Sequence, residues 1–437
     1  MPTRPNRLRS LFPICPRSVD RYFVRAVRLF LACCFLVYCF SGQPALAGCP
    51  EFSDLIKNGA YGVADSRGRV LAGCSVDRPF IPASIIKIAT ALVALEVLGP
   101  EYHFTTELYL DAENNLYIRG HGDPLLISEE VLHVLRELHD QGVRMLNNIY
   151  IDDSLFALEH QPPGRELSSN PYDAPIGATV VNFNCVSFRK THRHGVRSGE
   201  KQTPTLPLMR QLGRSRRSGY HLINICPGGC REKERMARLT GELFRSLQKK
   251  AGIRGRGRIG RKQVPKTAEL VLVHANSRPL TEVLSTMLTY SSNFIANLVF
   301  LTIGAHQYGY PATWTKGRRA MHNGLVSQLG PRTAALVVME EGAGLSRHSR
   351  VTARVMLKLL KAFRPHADLL RSRYNVLVKS GTMKGIFNYA GYLPSGNPFV
   401  ILLNQRRNTR RSVLARLKRK KYPQGSGPLL STYRSSR

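Results

Sequence analysis

Apolar runs and alternating stretches divide this chain into readable and unreadable parts. A short apolar run at 29–40 follows Arg21, Arg25 and Arg28. Two strand-like pieces, 61–65 and 70–74, flank a turn at Ser66-Arg67-Gly68 and predict a hairpin. Next come Ile85, Ile86, Ile88, Ala89, Ala91, Leu92, Val93, Leu95, Val97 and Leu98, closed by Gly99-Pro100, which predict a buried helix with a defined stop. Residues 108–120 and 148–151 are strand-like, whereas 189–266 is basic, lacks a clear period and receives no elements. A second apolar helix is predicted from Phe294 through Leu301. Val376-Leu377-Val378, followed by Gly385, Ile386, Phe387, Tyr389 and Ala390, predicts a strand that turns into a hairpin.

Three short motifs stand at the edges of these elements, in the order Ser84-Ile-Ile-Lys87, Ser291-Ser292-Asn293 and Lys379-Ser380-Gly381. Each pattern also occurs elsewhere in the chain, so order and setting carry the signal. Ser84 opens the first apolar helix, after Pro82, where free backbone N–H groups favour developing negative charge. Lys87 lies three residues on and shares its helical face. A lysine serves as general base only if burial or neighbouring cations lower its pKa, which an apolar helix can arrange. Ser291 and Asn293 fall in a tight connection between two helices. Lys379 to Thr382 lie on the predicted strand, where Gly381 lets a substrate backbone approach closely. A nucleophile with an amine, a hydroxyl with an amide, and a cationic strand are the parts of serine acyl transfer. Ser84 by itself would be read as a helix cap.

With these motifs the chain resembles low-molecular-mass penicillin-binding proteins of the D-alanyl-D-alanine carboxypeptidase and endopeptidase type, which carry a large insert between the first two motifs. The resemblance extends to Gly122-Asp123-Pro124, Ile151 to Phe156, Ala174-Pro175-Ile176-Gly177-Ala178 with Asn184-Cys185, Glu341 to Arg347, and Gly385 to Gly391. It covers about 50–405 by eye, apart from a poorly matching stretch near 190–270. It implies an α/β (α+β) fold: a β-lactamase/transpeptidase-like catalytic domain with helices around an antiparallel sheet, split by a mostly β inserted domain. The expected organisation is a signal peptide over 1–48, a discontinuous catalytic domain from 49–107 and 271–421, the insert over 108–270, and a basic tail at 422–437. The resemblance further implies that Ser84 is the acylated nucleophile and Lys87 its proton acceptor. Ser291 would relay a proton to the leaving amine, Asn293 would hold a substrate amide, and Lys379 would add positive potential. Ser380 and Thr382 would help hold the terminal carboxylate and Gly381 would bind substrate by letting its backbone lie close, with the backbone N–H groups of Ser84 and Thr382 as the oxyanion hole. Ser292 and Ser380 stand where this group usually has aspartate and threonine. The implied substrate is the peptidoglycan stem peptide and the implied covalent inhibitors are β-lactams; no cofactor and no metal are expected.

Composition adds a compartment and a problem. The basic residues, the apolar run and Ala45-Leu46-Ala47 have the pattern of a cleavable secretory signal, which directs the enzyme to the periplasm. Leu46-Ala47-Gly48-Cys49 also has lipobox character, with Cys49 a candidate for lipid attachment, and Cys226-Pro-Gly-Gly-Cys230 suits a tight disulfide or two free thiols. The chain carries 64 Lys and Arg against 29 Asp and Glu, a net charge of +35. Such a surface attracts polyanions. An export signal and the absence of zinc-finger spacing argue against nucleic acid, leaving anionic envelope surfaces, on which residues 408–421 could lie as a helix. Two other readings share these features: a β-lactamase-type hydrolase, and a noncatalytic basic envelope-binding protein.

Overall fold

The computed structural model describes residues 49–423. The signal peptide expected over 1–48 and nearly all of the basic tail expected over 422–437 lie outside them.

Both ends of the described chain meet in one antiparallel sheet. Its six strands run in the order Ser372–Arg373, Val376–Met383, Ile386–Tyr392, Pro398–Leu403, Gly59–Ala64 and Val70–Cys74. Gly59 pairs with Leu403 and Val63 with Phe399, so the hairpin near the amino end is registered against strands more than three hundred residues later. Gly59–Ala64 and Pro398–Leu403 are buried along their whole length because both faces of the sheet are covered. On one face lie Ala353–Phe363 and the helix Lys87–Val97. The latter is apolar all round, as a helix enclosed by others must be, and Ile88, Ala89, Ala91, Val93 and Ala94 have no exposed surface. Each buried Ile or Leu there contributes about 1.5–3 kcal/mol.

The other face of the sheet is covered by the helix Arg410–Arg419. Val413, Leu414 and Leu417 pack with Phe52, Tyr61, Val63, Val378 and Phe399. The expected carboxy-terminal helix therefore forms, but its apolar stripe serves the protein's own sheet instead of an envelope surface. Arg416 pairs with Asp54 at 2.7 Å on the outside. Cys49 is bonded to Cys74, which corrects the lipid expectation: its sulfur is already committed. Cys226 is bonded to Cys230, and Cys185 is free and buried.

The segment over 108–270 departs from the mostly β expectation by carrying substantial helices. A five-stranded mixed sheet orders Ile259–Arg261, Ile149–Asp152, Leu116–Gly120, His103–Leu110 and Glu269–Pro279. Leu116–Gly120 and Ile149–Asp152 pair in parallel, which requires a crossover, and Ser128–Asp140 supplies it. The unassigned basic stretch contains a three-stranded sheet, Gly195–Ser198, Cys185–Thr191 and Gly219–Asn224, and the helices Pro207–Gly213 and Glu232–Leu247.

Candidate active site

The three motifs converge on one cleft, lined among others by Ser84, Tyr172, Ser291, Asn293, Arg347 and Thr382. Ser84 lies in the 3-10 turn Ala83–Ile86 that leads into Lys87–Val97. Ala83, just before it, has φ 46°, and Ser291 has φ 57°. Left-handed backbone at non-glycine residues costs on the order of 1–3 kcal/mol and persists only where surroundings enforce it. Here Asn388 donates from Nδ2 to Ile81 O at 2.9 Å and Pro82 O at 2.8 Å. Gly344 lies so close that a Cβ on it would meet Ala83 O at 2.2 Å. From the other side the third-motif strand Val376–Met383 passes Ser84 closely, and a Cβ on Gly381 would stand 2.7 Å from Pro82 O and 3.2 Å from Ser84 N.

Lys87 has no exposed surface. Its Nζ stands 2.9 Å from Ser84 Oγ, 2.8 Å from Asn293 Oδ1 and 2.7 Å from Ala343 O. Burial holds its pKa well below the usual lysine range and the Lys379 charge pushes it further down, while the Glu341 carboxylate opposes both. A second serine–lysine pair faces the first: Lys379 Nζ donates to Ser291 Oγ at 2.7 Å and to Ser380 O at 3.1 Å. Burial, reinforced by the Arg410 guanidinium, brings Lys379 down to about 7. Asn293 Nδ2 donates to Tyr172 O at 3.2 Å, so a loop from the inserted segment closes one end of the cleft.

All eight residues singled out by the sequence, Ser84, Lys87, Ser291, Asn293, Lys379, Ser380, Gly381 and Thr382, lie in the three motifs at or beside this cleft. The departure at Ser292 has a structural account. Its Oγ accepts from Ile295 N at 3.2 Å and caps the helix Asn293–Tyr308, a task aspartate performs equally well.

Two further residues shape the site. Glu341 is fully buried and accepts from the backbone N–H groups of Ala343 at 2.8 Å, Leu345 at 2.6 Å and Ser346 at 3.4 Å, which shapes the loop that presents Ala343 O to Lys87. Burial raises its pKa, against the pull of those N–H groups and of Lys87. Asn388 is the other. Both stand inside the runs Glu341 to Arg347 and Gly385 to Gly391, so the signal available was their presence in the wider resemblance. Among the described residues one group, Glu130, His133 and His274, has donor atoms close enough to hold a metal ion. It belongs to the inserted segment, and His274 already meets Glu130 at 2.9 Å and Glu137 at 2.7 Å.

Residues 57–214 and 230–377 match the D-Ala-D-Ala carboxypeptidase 3 (S13) family, an interval that includes the first two motifs and stops just short of Lys379. The chain is 26% identical over 422 aligned residues to the D-alanyl-D-alanine carboxypeptidase of Actinomadura sp. (strain R39), covering 80% of this chain and 76% of that protein. Its fold is similar to the crystal structure of penicillin binding protein 4 (dacB) from Haemophilus influenzae, with a TM-score of 0.65 and 21% identity over 85% of this chain and 99% of that one. The same Haemophilus influenzae protein complexed with a β-lactam aligns with a TM-score of 0.60 and 20% identity, again over 85% and 99% of the two chains.

Proposed function

This chain belongs to the D-Ala-D-Ala carboxypeptidase 3 (S13) family, and on that premise we propose that Ser84 is the residue acylated when it cleaves D-alanyl peptides. The protein is a serine DD-peptidase of the low-molecular-mass penicillin-binding type, a hydrolase on a transpeptidase-like fold. The observation that carries the assignment is the seat of Lys87. A neutral lysine has two N–H bonds and one lone pair. With the N–H groups given to Asn293 Oδ1 and Ala343 O, the lone pair is left for the third neighbour, the Ser84 hydroxyl at 2.9 Å. Burial supports that protonation state.

Lys87 then accepts the Ser84 proton as Oγ attacks the carbonyl carbon of the penultimate D-alanine. The oxyanion is received by the backbone N–H groups of Ser84 and Thr382, a role supported by the close passage of the strand at Gly381 against Ser84. Collapse expels the leaving amine, which takes its proton from the Ser291 hydroxyl. Lys379, donating to that hydroxyl, restores the proton and supplies positive potential. Asn293 exchanges its Tyr172 partner for a substrate amide, while Ser380 and Thr382 hold the terminal carboxylate and Gly381 lets the substrate backbone lie close. Water then takes the amine's place and resolves the acyl-enzyme by the reverse path: its proton passes through Ser291 to the neutral Lys379, and Lys87 returns its proton to Ser84 Oγ as the ester bond breaks. Removing a terminal D-alanine and cutting a D-alanyl crosslink present the same carbonyl to Ser84, and both fall within this reading.

β-Lactams acylate Ser84 in the same way, a reading supported by the β-lactam complex of the Haemophilus influenzae structure. The leader pattern in the sequence and the two disulfides favour a periplasmic setting. The excess of cations favours weak adhesion to anionic envelope surfaces. The test is the intact mass of the protein after incubation with benzylpenicillin, beside Ser84→Ala, followed by digestion of purified muropeptides. A stoichiometric adduct on Ser84, and release of D-alanine or of monomers from dimers, is expected. A folded protein that forms no adduct and cleaves no muropeptide overturns the proposal.

A further inference from the structure

The first residue of the carboxy-terminal helix reaches back into the cleft. Arg410 Nη1 lies 2.7 Å from Thr382 Oγ1 and 3.1 Å from Gly381 O, and its guanidinium rests over the Tyr389 ring at 4.7 Å. Its Nε is buried without a hydrogen-bond partner, so the side chain is directed at Thr382 and not held there by an acid. No carboxylate of the protein pairs with it among the described residues. Anchorage comes from the helix itself, whose Val413, Leu414 and Leu417 are buried against the sheet.

We infer that Arg410 is a positioning residue for recognition of a free carboxylate terminus, acting through Thr382. The inference rests on the proposed role of Thr382 in binding that carboxylate. A threonine hydroxyl has one proton and two lone pairs. The Arg410 N–H occupies a lone pair and cannot receive the hydroxyl proton, so that proton turns to the remaining neighbour, the incoming carboxylate. The guanidinium also places a permanent positive charge behind the hydroxyl. Arginine keeps that charge at any pH the enzyme meets, unlike Lys379, whose charge is lost as pH rises through about 7. Division of labour follows: Lys379 serves the proton path at Ser291, and Arg410 keeps the carboxylate site cationic when Lys379 is neutral.

The test compares second-order acylation by benzylpenicillin, which carries a carboxylate, with acylation by its methyl ester, which does not, in the wild-type protein, Arg410→Gln and Arg410→Lys. The wild type is expected to prefer the acid. Arg410→Gln lowers the acid-to-ester rate ratio about tenfold, mostly through the acid, and Arg410→Lys recovers part of it by restoring charge without the planar donor. The loss grows as pH rises through the Lys379 pKa of the variant. Removing the Arg410 charge also raises the Lys379 pKa, moving the alkaline limb of the acylation profile to higher pH. An unchanged ratio in Arg410→Gln, or equal loss with both reagents, overturns the inference while leaving Ser84 as nucleophile. If the Gln variant does not fold, the Lys variant decides: an unchanged acid-to-ester ratio across pH overturns the inference. A wild-type protein acylated by neither reagent removes the reading of Ser84 itself, and this inference with it.

Discussion

Lys87 and Lys379 each lie within hydrogen-bond distance of a serine, at 2.9 and 2.7 Å, yet the two walls of the cleft that hold them are built differently. On the helix wall, Lys87 is enclosed by carbonyl oxygens and stands near the buried carboxylate of Glu341. On the strand wall, Lys379 faces a second cation, Arg410, contributed by a helix from the far end of the chain. Burial lowers both amines. The neighbour then decides the detail: an acid that holds Lys87 back from falling further, and a cation that pushes Lys379 down to about 7. A buried amine held by two carbonyl oxygens beside Ser84 thus opposes a lysine whose charge is lost as pH rises through about 7.

Replacing each lysine by methionine breaks the comparison most strongly. Lys87→Met is expected to lower acylation by about 10²–10⁴-fold, the span of a lost general base, whereas Lys379→Met, which keeps the nucleophile and its base, loses less. Stopped-flow acylation with a chromogenic β-lactam separates them. Lys379→Met should also melt higher, because a buried amine is removed, whereas Lys87→Met leaves the buried Asn293 and Ala343 oxygens and the Glu341 carboxylate without their partner. For Lys379 the sign is set by a folded pKa near 7 against the ordinary 10.5. Between those values the unfolded chain binds more protons, so the penalty is full below about pH 7 and relieved as pH rises towards 10.5. Thermal melts across that window should therefore show the wild type closing its gap to Lys379→Met as pH increases. A gap that stays constant with pH contradicts the assignment.

A smaller effect is expected from Glu341→Gln. The amide keeps one acceptor oxygen but turns N–H groups towards backbone donors, costing on the order of 1–3 kcal/mol and loosening the loop that carries Ala343 O. Loss of the negative charge lowers the Lys87 pKa further, so the acidic limb of the acylation profile moves to lower pH. Movement in the opposite direction would show that Glu341 does not act on Lys87 as a carboxylate. Smallest of all are changes at Ser292. Ser292→Ala should cost about 1 kcal/mol of stability and Ser292→Asp almost nothing, because only the cap on Ile295 N is at stake. Urea unfolding curves beside acylation rates check that stability moves and chemistry does not.

Legibility followed the range of the pattern. The helix Lys87–Val97 and the hairpin around Gly385 were plain because apolar runs and turn residues coincide there. The helix Glu232–Leu247 is hard to see in the sequence although Met236, Leu239, Leu243, Phe244 and Leu247 recur at helical spacing, since it is embedded in a long basic stretch whose composition masks the period. The same masking hid the strands of the basic stretch. The lipobox character around Cys49 is visible because a lipobox is local, while its partner Cys74 becomes a neighbour only after the first hairpin has formed. The charge of residues 408–421 suits a helix on an anionic surface, but three side chains, Val413, Leu414 and Leu417, bury against the sheet face that the fold makes available.

The sequence by itself determined the chemistry on offer, because each motif spans four residues or fewer and its neighbouring apolar run sets the local element: Ser84 and Lys87 share one face because the helix Lys87–Val97 begins there. Only the tertiary structure decided how those groups work. Lys87 meets Asn293 and Ala343 across 206 and 256 residues, Ser291 meets Lys379, and Arg410 reaches Thr382. Such meetings depend on which faces of buried helices and strands pack together, and with them on burial and neighbouring charge, quantities that no local spacing in the chain encodes.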